Sequence, residues 1–132
     1  MSLKLRLKAE ERLMVGGAVI RNGSRPAELL IENNVPILRE KDILSERDVV
    51  TAAQKIYFII QLMYIDRENL PEYHSKYREL MDAVVTAAPS TGDLLTQIES
   101  KVREADFYHA LKLAGNLIEY EKELIENASA TN

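Results

Sequence analysis

The eight residues Leu13-Met14-Val15-Gly16-Gly17-Ala18-Val19-Ile20 place two glycines between two short apolar runs. Glycine takes the positive φ values that a tight hairpin turn demands, and β-branched residues favour strands. The stretch therefore predicts a β-hairpin. Upstream of it, residues 3–8 (LKLRLK) alternate a leucine with a cation, which is the period of a strand with one apolar face and one cationic face.

Further short strands are predicted downstream of the hairpin. The turn Asn22-Gly23-Ser24 precedes a strand over Ala27 to Ile31, and Asn33-Asn34 precedes a last strand over Val35 to Leu38. Because Pro36 has no N–H to donate to a ladder, we expect this last strand either at the edge of a sheet or paired through its other side.

The chain changes character at Ser45. Residues 1–47 carry nine Lys and Arg against seven Asp and Glu, whereas residues 48–132 carry eight against fourteen. The apolar spacing changes from two residues to three and four at the same place, which indicates helices. We therefore predict an α+β chain, with a small antiparallel sheet of four to five strands over residues 1–44 and three to four helices over residues 45–132, together forming one compact unit.

The helices are predicted from their caps and their apolar spacing. Ser45, with an acidic residue three positions on, suits the start of a long helix that is apolar nearly all round and should be the most buried element. Pro71 suits the first turn of a second helix, which Pro89 ends. After a third helical stretch, Asp106 either begins a last helix or lies within one continuous helix. The tail, residues 128–132, should fray.

Composition excludes several classes of function. The 132 residues are 46% hydrophobic and 29% charged, which is ordinary for one soluble domain, and they include no cysteine. Disulfides, thiolate nucleophiles and Cys-ligated metals are therefore excluded. His74 and His109 have no ligand partner three or four residues on, and there is no nucleophile elbow or phosphate-binding glycine loop. We predict that the protein is not an enzyme and uses no cofactor or metal.

No signal for export or membrane insertion is present in the sequence. The amino terminus lacks the apolar core of a signal peptide. The longest apolar stretch, Ile56 to Ile65, is about half of the ~20 residues that cross a bilayer. We therefore expect a cytoplasmic protein without a membrane partner.

Three segments taken together resemble one known family. They are residues 3–8, residues 16–23 (GGAVIRNG) and the helix at residues 54–63 (QKIYFIIQLM), and in this order they are similar to the FlbT family over most of the chain. The resemblance implies a post-transcriptional regulator that binds the 5′ untranslated region of flagellin messenger RNA and lowers its translation or lifetime. It also implies a companion regulator, FlaF, and in some members an activating role.

A weaker likeness concerns the first part of the chain alone. Residues 11–16 (ERLMVG) and 35–40 (VPILRE) resemble the two signature stretches of CsrA, a small β-sheet repressor of translation. This likeness implies an intertwined dimer whose first and last strands bind RNA. Leu5 and Arg39 match its contact residues, and Lys8 keeps the charge of another.

The candidate RNA-binding residues follow from these likenesses and from the cationic strand face. We predict contacts at Lys4, Leu5, Arg6, Lys8, Arg21 and Arg39. Alternate cations on a strand lie about 6.6 to 7 Å apart, near the phosphate spacing of an extended nucleic-acid strand. Two plainer interpretations stay open: the strand cations guard a sheet edge against aggregation, and Arg39 pairs with Glu40, Asp42 or a helix end.

The overall charge limits how strongly RNA can bind. A net charge of −4 repels RNA at long range, so we expect modest, salt-sensitive binding to single-stranded loops. The expected partners are the flagellin mRNA leader, a FlaF-type regulator and a second copy of the chain in a homodimer. The alternative is a flagellar chaperone or adaptor, in which the acidic helices bind a flagellar protein and effects on RNA are indirect.

Overall fold

The computed structural model describes residues 2–130 and divides between Ile43 and Leu44 into two compact units, here named the β unit and the helical unit. Within these residues the β unit holds five strands: β1 (Leu3–Leu7), β2 (Arg12–Val15), β3 (Ala18–Arg21), β4 (Ala27–Ile31) and β5 (Ile37–Arg39). The helical unit holds four helices: α1 (Ala52–Ile65), α2 (Leu70–Ala87), α3 (Gly92–Arg103) and α4 (Phe107–Ala130). The predicted α+β class is confirmed.

The strands form two small antiparallel sheets. β1 pairs with β4, and the second sheet has the order β3-β2-β5. The predicted hairpin is β2 and β3, and Gly16 in its turn has a φ of +58°. Between β1 and β2 the chain turns at Glu10, whose φ is +62°, and β1 pairs with β4 instead of β2.

The last strand begins at Ile37, not at Val35 as predicted. Pro36 cannot donate to a ladder, and its carbonyl instead accepts a 2.7 Å hydrogen bond from the N–H of Gly16. The expectation that this strand lies at an edge is confirmed, because β5 pairs only with β2 among the strands described.

A leucine cluster forms the core of the β unit. Leu5, Leu7 and Leu13 are 8%, 3% and 0% exposed, and partly buried aliphatic residues of β2, β4 and β5 pack against them. The alternation of residues 3–8 thus has its predicted effect, with two of its three leucines buried and its cations exposed.

The first long helix begins at Ala52, so its predicted start near Ser45 is wrong. Thr51 and Gln54 form a capping box: the N–H of Gln54 donates to Thr51 Oγ1 at 3.2 Å, and the N–H of Thr51 donates to Gln54 Oε1 at 3.0 Å. Ser45 precedes only a short 3-10 turn and makes no side-chain cap bond. The reciprocal pair of Thr51 and Gln54 satisfies backbone N–H groups at the start of α1. The side chain of Ser45 satisfies none.

The core of the helical unit is built around α1, as predicted. This helix packs against α2 and α4, and its Ile56, Ile60 and Met63 are 0% exposed. Gln61, which interrupts the apolar run, is also buried, and its side chain bonds the N–H and the carbonyl of Leu44 at 2.9 and 3.0 Å.

The remaining helix boundaries follow the predicted signals. Pro71 lies in the first turn of α2, and α2 ends before Pro89. Asp106 precedes α4, and its carboxylate accepts from the N–H of His109 at 3.3 Å, so α3 and α4 are separate helices. Helix α4 continues through residues 128–130, where fraying was expected, while residues 131 and 132 lie outside the described residues. Among the helices described, none is both long enough and apolar enough to cross a membrane.

Candidate nucleic-acid interface

One carboxylate lies opposite the two exposed cations of β1. The register of the first sheet pairs Arg6 with Glu28 of β4. Glu28 lies 3.5 Å from Nζ of Lys4 and 3.8 Å from Nε of Arg6. The side chains of Lys4 and Arg6 are still 57% and 85% exposed, so both ion pairs are weak and screened by water. The predicted cationic face exists, and Glu28 offsets part of its charge.

Arg39 is held inside the β unit. Its guanidinium lies 3.1 Å from a carboxylate oxygen of Glu11 and also donates to the carbonyl of Arg6. The Arg39 side chain is partly buried, with 35% of its surface exposed, and it is paired as the plainer interpretation held, but its partner is Glu11 and not Glu40, Asp42 or a helix end. A hydrogen bond from the N–H of Lys8, at 2.8 Å, and the Arg39 guanidinium lower the pKa of Glu11.

Leu5 lies in the leucine cluster with 8% of its surface exposed, so its side chain does not form part of an outer face. Leu5 and Arg39 are the two positions carried over directly from the likeness to CsrA. Both are engaged within the β unit, while Lys8 and Arg21 are exposed.

Arg21 lies directly opposite another arginine in the hairpin. The register pairs it with Arg12 of β2, whose Nε lies 3.5 Å from Glu40 Oε1 and whose backbone N–H donates to the same oxygen at 3.1 Å. Among residues 2–130 we find no ion pair or hydrogen bond for the side chain of Arg21. Like charges at directly opposite positions are destabilising, so this pair costs stability.

Asn22 joins two segments of the β unit. Its Nδ2 donates to the carbonyl oxygens of Lys8 and Arg25, each at 2.8 Å. Backbone bonds of 2.8 Å from Glu10 to Gly23 and from Asn22 to Glu11 run alongside. Residues 8–11 and 22–25 therefore lie next to each other, with the side chains of Lys8 and Arg25 exposed.

The sequence predicted the turn at Asn22, but Arg25 was not among the candidate RNA-binding residues. The available signal was the asparagine itself, because its short amide readily bonds nearby backbone groups and can hold a turn in place. A shallow pocket of about 510 Å³ lies at the same segment, with both signs of charge on its wall: Lys8, Ala9, Glu10, Glu11, Arg39, Glu40 and Lys41.

Two pairs of titratable groups in the helical unit are hydrogen-bonded to each other. The hydroxyl of Tyr77, a residue 1% exposed, donates to Glu99 at 2.7 Å, and burial together with this carboxylate raises the pKa of the phenol. His109 bonds Asp106 at 2.8 Å, which lowers the pKa of that carboxyl. Within the described part of the chain, no three His, Asp or Glu side chains are grouped as a metal site.

Comparison with known proteins gives the family. The family model described as flagellar protein FlbT matches residues 3–125, which include nearly all of both units. The chain belongs to the FlbT family. The resemblance found in the sequence is thereby confirmed, and no solved structure matches the chain.

Named relatives align along almost their whole length. The probable flagellum biosynthesis repressor protein FlbT 1 of Bradyrhizobium diazoefficiens is 42% identical over 133 residues, covering 100% of this chain and 90% of the relative. The flagellum biosynthesis repressor protein FlbT of Caulobacter vibrioides is 34% identical over 132 residues, covering 98% and 94%. A probable repressor of the same name from Rhodopseudomonas palustris is 33% identical over 125 residues, covering 95% and 98%.

Proposed function

We propose that this FlbT-family protein is a post-transcriptional regulator of flagellin synthesis. It binds the 5′ untranslated region of flagellin messenger RNA and represses translation or promotes decay. The names of its relatives, which describe repressors of flagellum biosynthesis, support the regulatory part of this proposal.

The observation that carries the RNA-binding part is the set of exposed cations on the β unit. Lys4, Arg6, Lys8 and Arg21 are all exposed there. Up to Ile43 the sequence carries eight Lys and Arg against six Asp and Glu, although the whole chain has a net charge of −4. A localised patch can therefore attract phosphates that the chain as a whole repels.

The chemistry of this surface limits the mode of binding. The first 56 residues contain no aromatic side chain, so bases cannot stack on rings there. Contacts from Lys, Arg and the backbone to phosphates would dominate, and each adds about −0.7 to the slope of log K against log salt on a single strand. Binding is therefore modest and falls steeply with salt.

The second candidate function is that of an adaptor. The helical part of the chain is acidic, with eight Lys and Arg against fourteen Asp and Glu over residues 48–132. In this function it binds a flagellar protein or a FlaF-type regulator, and effects on RNA are indirect.

A gel shift of the purified protein with the flagellin leader tests the proposal. The control is the antisense RNA of the same length, and translation of a reporter carrying the leader is measured in parallel. We expect a complex with the leader and lower reporter yield. Capture of a FlaF-type regulator without any complex with the leader would favour the adaptor.

A further inference from the structure

We infer that the segments joined by Asn22 form an anchoring site for the sugar–phosphate backbone of single-stranded RNA. The inference rests on the proposed function and assigns its main contacts to Lys8, Arg21 and Arg25, with Asn22 as a positioning residue. The anchor thus lies at residues 8–11 and 21–25 of the β unit, and the β1 face with Lys4 and Arg6 is not its main part.

These three cations differ from the other cations of the strands in their partners. Within residues 2–130 we find no carboxylate in an ion pair with Lys8, Arg21 or Arg25. By contrast, each cation that lies within β1, β2 or β5 faces a carboxylate, and these cations are Lys4, Arg6, Arg12 and Arg39. Lys8 does feel the charge of Glu11, whose carboxylate is bonded to Arg39. A phosphate that reaches Arg21 or Arg25 displaces no ion pair, whereas one that reaches the β1 face competes with Glu28.

One amide joins the two backbone segments that carry Lys8 and Arg25. Both hydrogen bonds donated by Asn22 Nδ2 are 2.8 Å long, and they fix the backbone at Lys8 and at Arg25. The oxygen of the same amide accepts from the N–H of Gly23 at 2.9 Å. The side chain therefore has its polar groups engaged in holding the two segments together.

The position of Arg21 supports an external anion. It lies opposite Arg12, whose charge is already offset by Glu40, and so Arg21 adds an uncompensated charge to the hairpin. A bound phosphate would offset that charge. The acids of the neighbouring segment are Glu10, which is exposed, and Glu11, which pairs with Arg39, so Lys8, Arg21 and Arg25 keep an excess of positive charge.

The ligand class follows from the arrangement. The cations lie on two exposed segments and not in a closed cavity, which suits an extended polyanion better than a small ion. Phosphate contacts position a nucleic acid without reading its bases. The site therefore contributes affinity and register, and it tolerates changes of RNA sequence.

The direct test is a titration of the ¹⁵N-labelled full chain with single-stranded oligouridine, followed by amide chemical shifts. We expect salt-sensitive shifts at Lys8 and residues 21–25. Shifts confined to other residues overturn the anchor but leave RNA binding in place. No shift at low salt, together with no complex with the leader, overturns both the anchor and the proposed function.

Substitutions supply the quantitative test. Arg21→Gln and Arg25→Gln should each reduce the salt slope by about 0.7 and weaken leader binding. The matched control is Lys76→Gln, which removes one exposed cation from α2 and should change neither. Equal effects from all three variants overturn the site.

Asn22→Ala tests positioning separately from charge. We expect a reduced salt slope although every cation is kept, because Lys8 and Arg25 are no longer held side by side. A lower melting temperature with an unchanged slope would mean that Asn22 only stabilises the fold.

Discussion

Glu28→Gln should strengthen RNA binding. In the folded chain, Glu28 pairs with both Lys4 and Arg6 across the first sheet, at 3.5 and 3.8 Å. Glutamine keeps the size of the side chain and removes its charge. Both cations then become available to phosphates without competition from an internal carboxylate.

The size of the effect follows from the exposure of the ion pairs. An exposed pair contributes about 0.2 to 1 kcal/mol, and Glu28 shares one carboxylate between two cations that are 57% and 85% exposed. Releasing this competition should therefore tighten the Kd by a factor between about 1.4 and 5, since about 1.4 kcal/mol corresponds to a factor of ten. The same figure predicts only a small loss of folding stability.

Fluorescence anisotropy with a labelled flagellin leader measures this change. The matched control is Glu32→Gln, which removes an exposed carboxylate just beyond β4 that has no ion pair among the described residues. Both variants change the net charge by the same amount. Any affinity that Glu28→Gln gains beyond Glu32→Gln is therefore due to Lys4 and Arg6.

Equal affinities of the two variants would refute the reasoning. Such a result would mean that only the net charge matters and that phosphates do not reach the β1 face. A weaker complex for Glu28→Gln, with an unchanged melting temperature, would assign Glu28 itself to the RNA contact.

The remaining predictions concern stability and assembly. Ile60→Ala should cost about 2 to 5 kcal/mol in chemical denaturation, whereas Ile125→Ala, at a site 54% exposed, should cost within about 0.5 kcal/mol. Arg39→Lys should lower the melting temperature, because lysine loses the planar fork that bonds Glu11; a weaker complex with RNA at unchanged stability would contradict this. A hydrogen bond from the backbone N–H of Lys8, together with the Arg39 guanidinium, holds the pKa of Glu11 below its ordinary value of 4.5. The ionised Glu11 carboxylate therefore stabilises the fold at neutral pH, and this stabilisation is lost as the pH falls through the lowered pKa. Thermal melts between neutral pH and pH 3 should show a smaller acid loss for Glu11→Gln than for the wild type. Light scattering at tens of micromolar should show a dimer, since sheets of only two and three strands leave unpaired edges; a strict monomer would be evidence against self-association.

Local chemistry made several elements predictable from the sequence. Gly16 takes the positive φ that the hairpin turn requires, and Pro71 and Asp106 mark the starts of helices. The strand over Ala27 to Ile31 was placed without error because turn residues and a proline bound it. The start of α1 was missed because the cap signal at residues 45–48 was followed, whereas a second signal at residues 51–54, not considered in the sequence analysis, is the one completed by a reciprocal bond.

The pairing of charges could not be predicted from residue types alone. Glu28 meets Lys4 and Arg6 only because β1 pairs with β4 in one register. Arg39 reaches Glu11 across 28 positions of sequence, a contact that no local pattern encodes. The sequence composition shows that the first part of the chain is rich in cations. The tertiary structure decides which of these cations remain available to a ligand.

Salt-dependent binding of the full chain to the flagellin leader is the most direct test of RNA recognition by the β unit. The measurement is the anisotropy-derived affinity over a salt series from about 50 to 200 mM, with the antisense RNA as the control. Three phosphate contacts, from Lys8, Arg21 and Arg25, predict a linear fall of log K against log salt with a slope of about −2. An absence of complex at the lowest salt, or a complex whose affinity does not change with salt, would contradict the account.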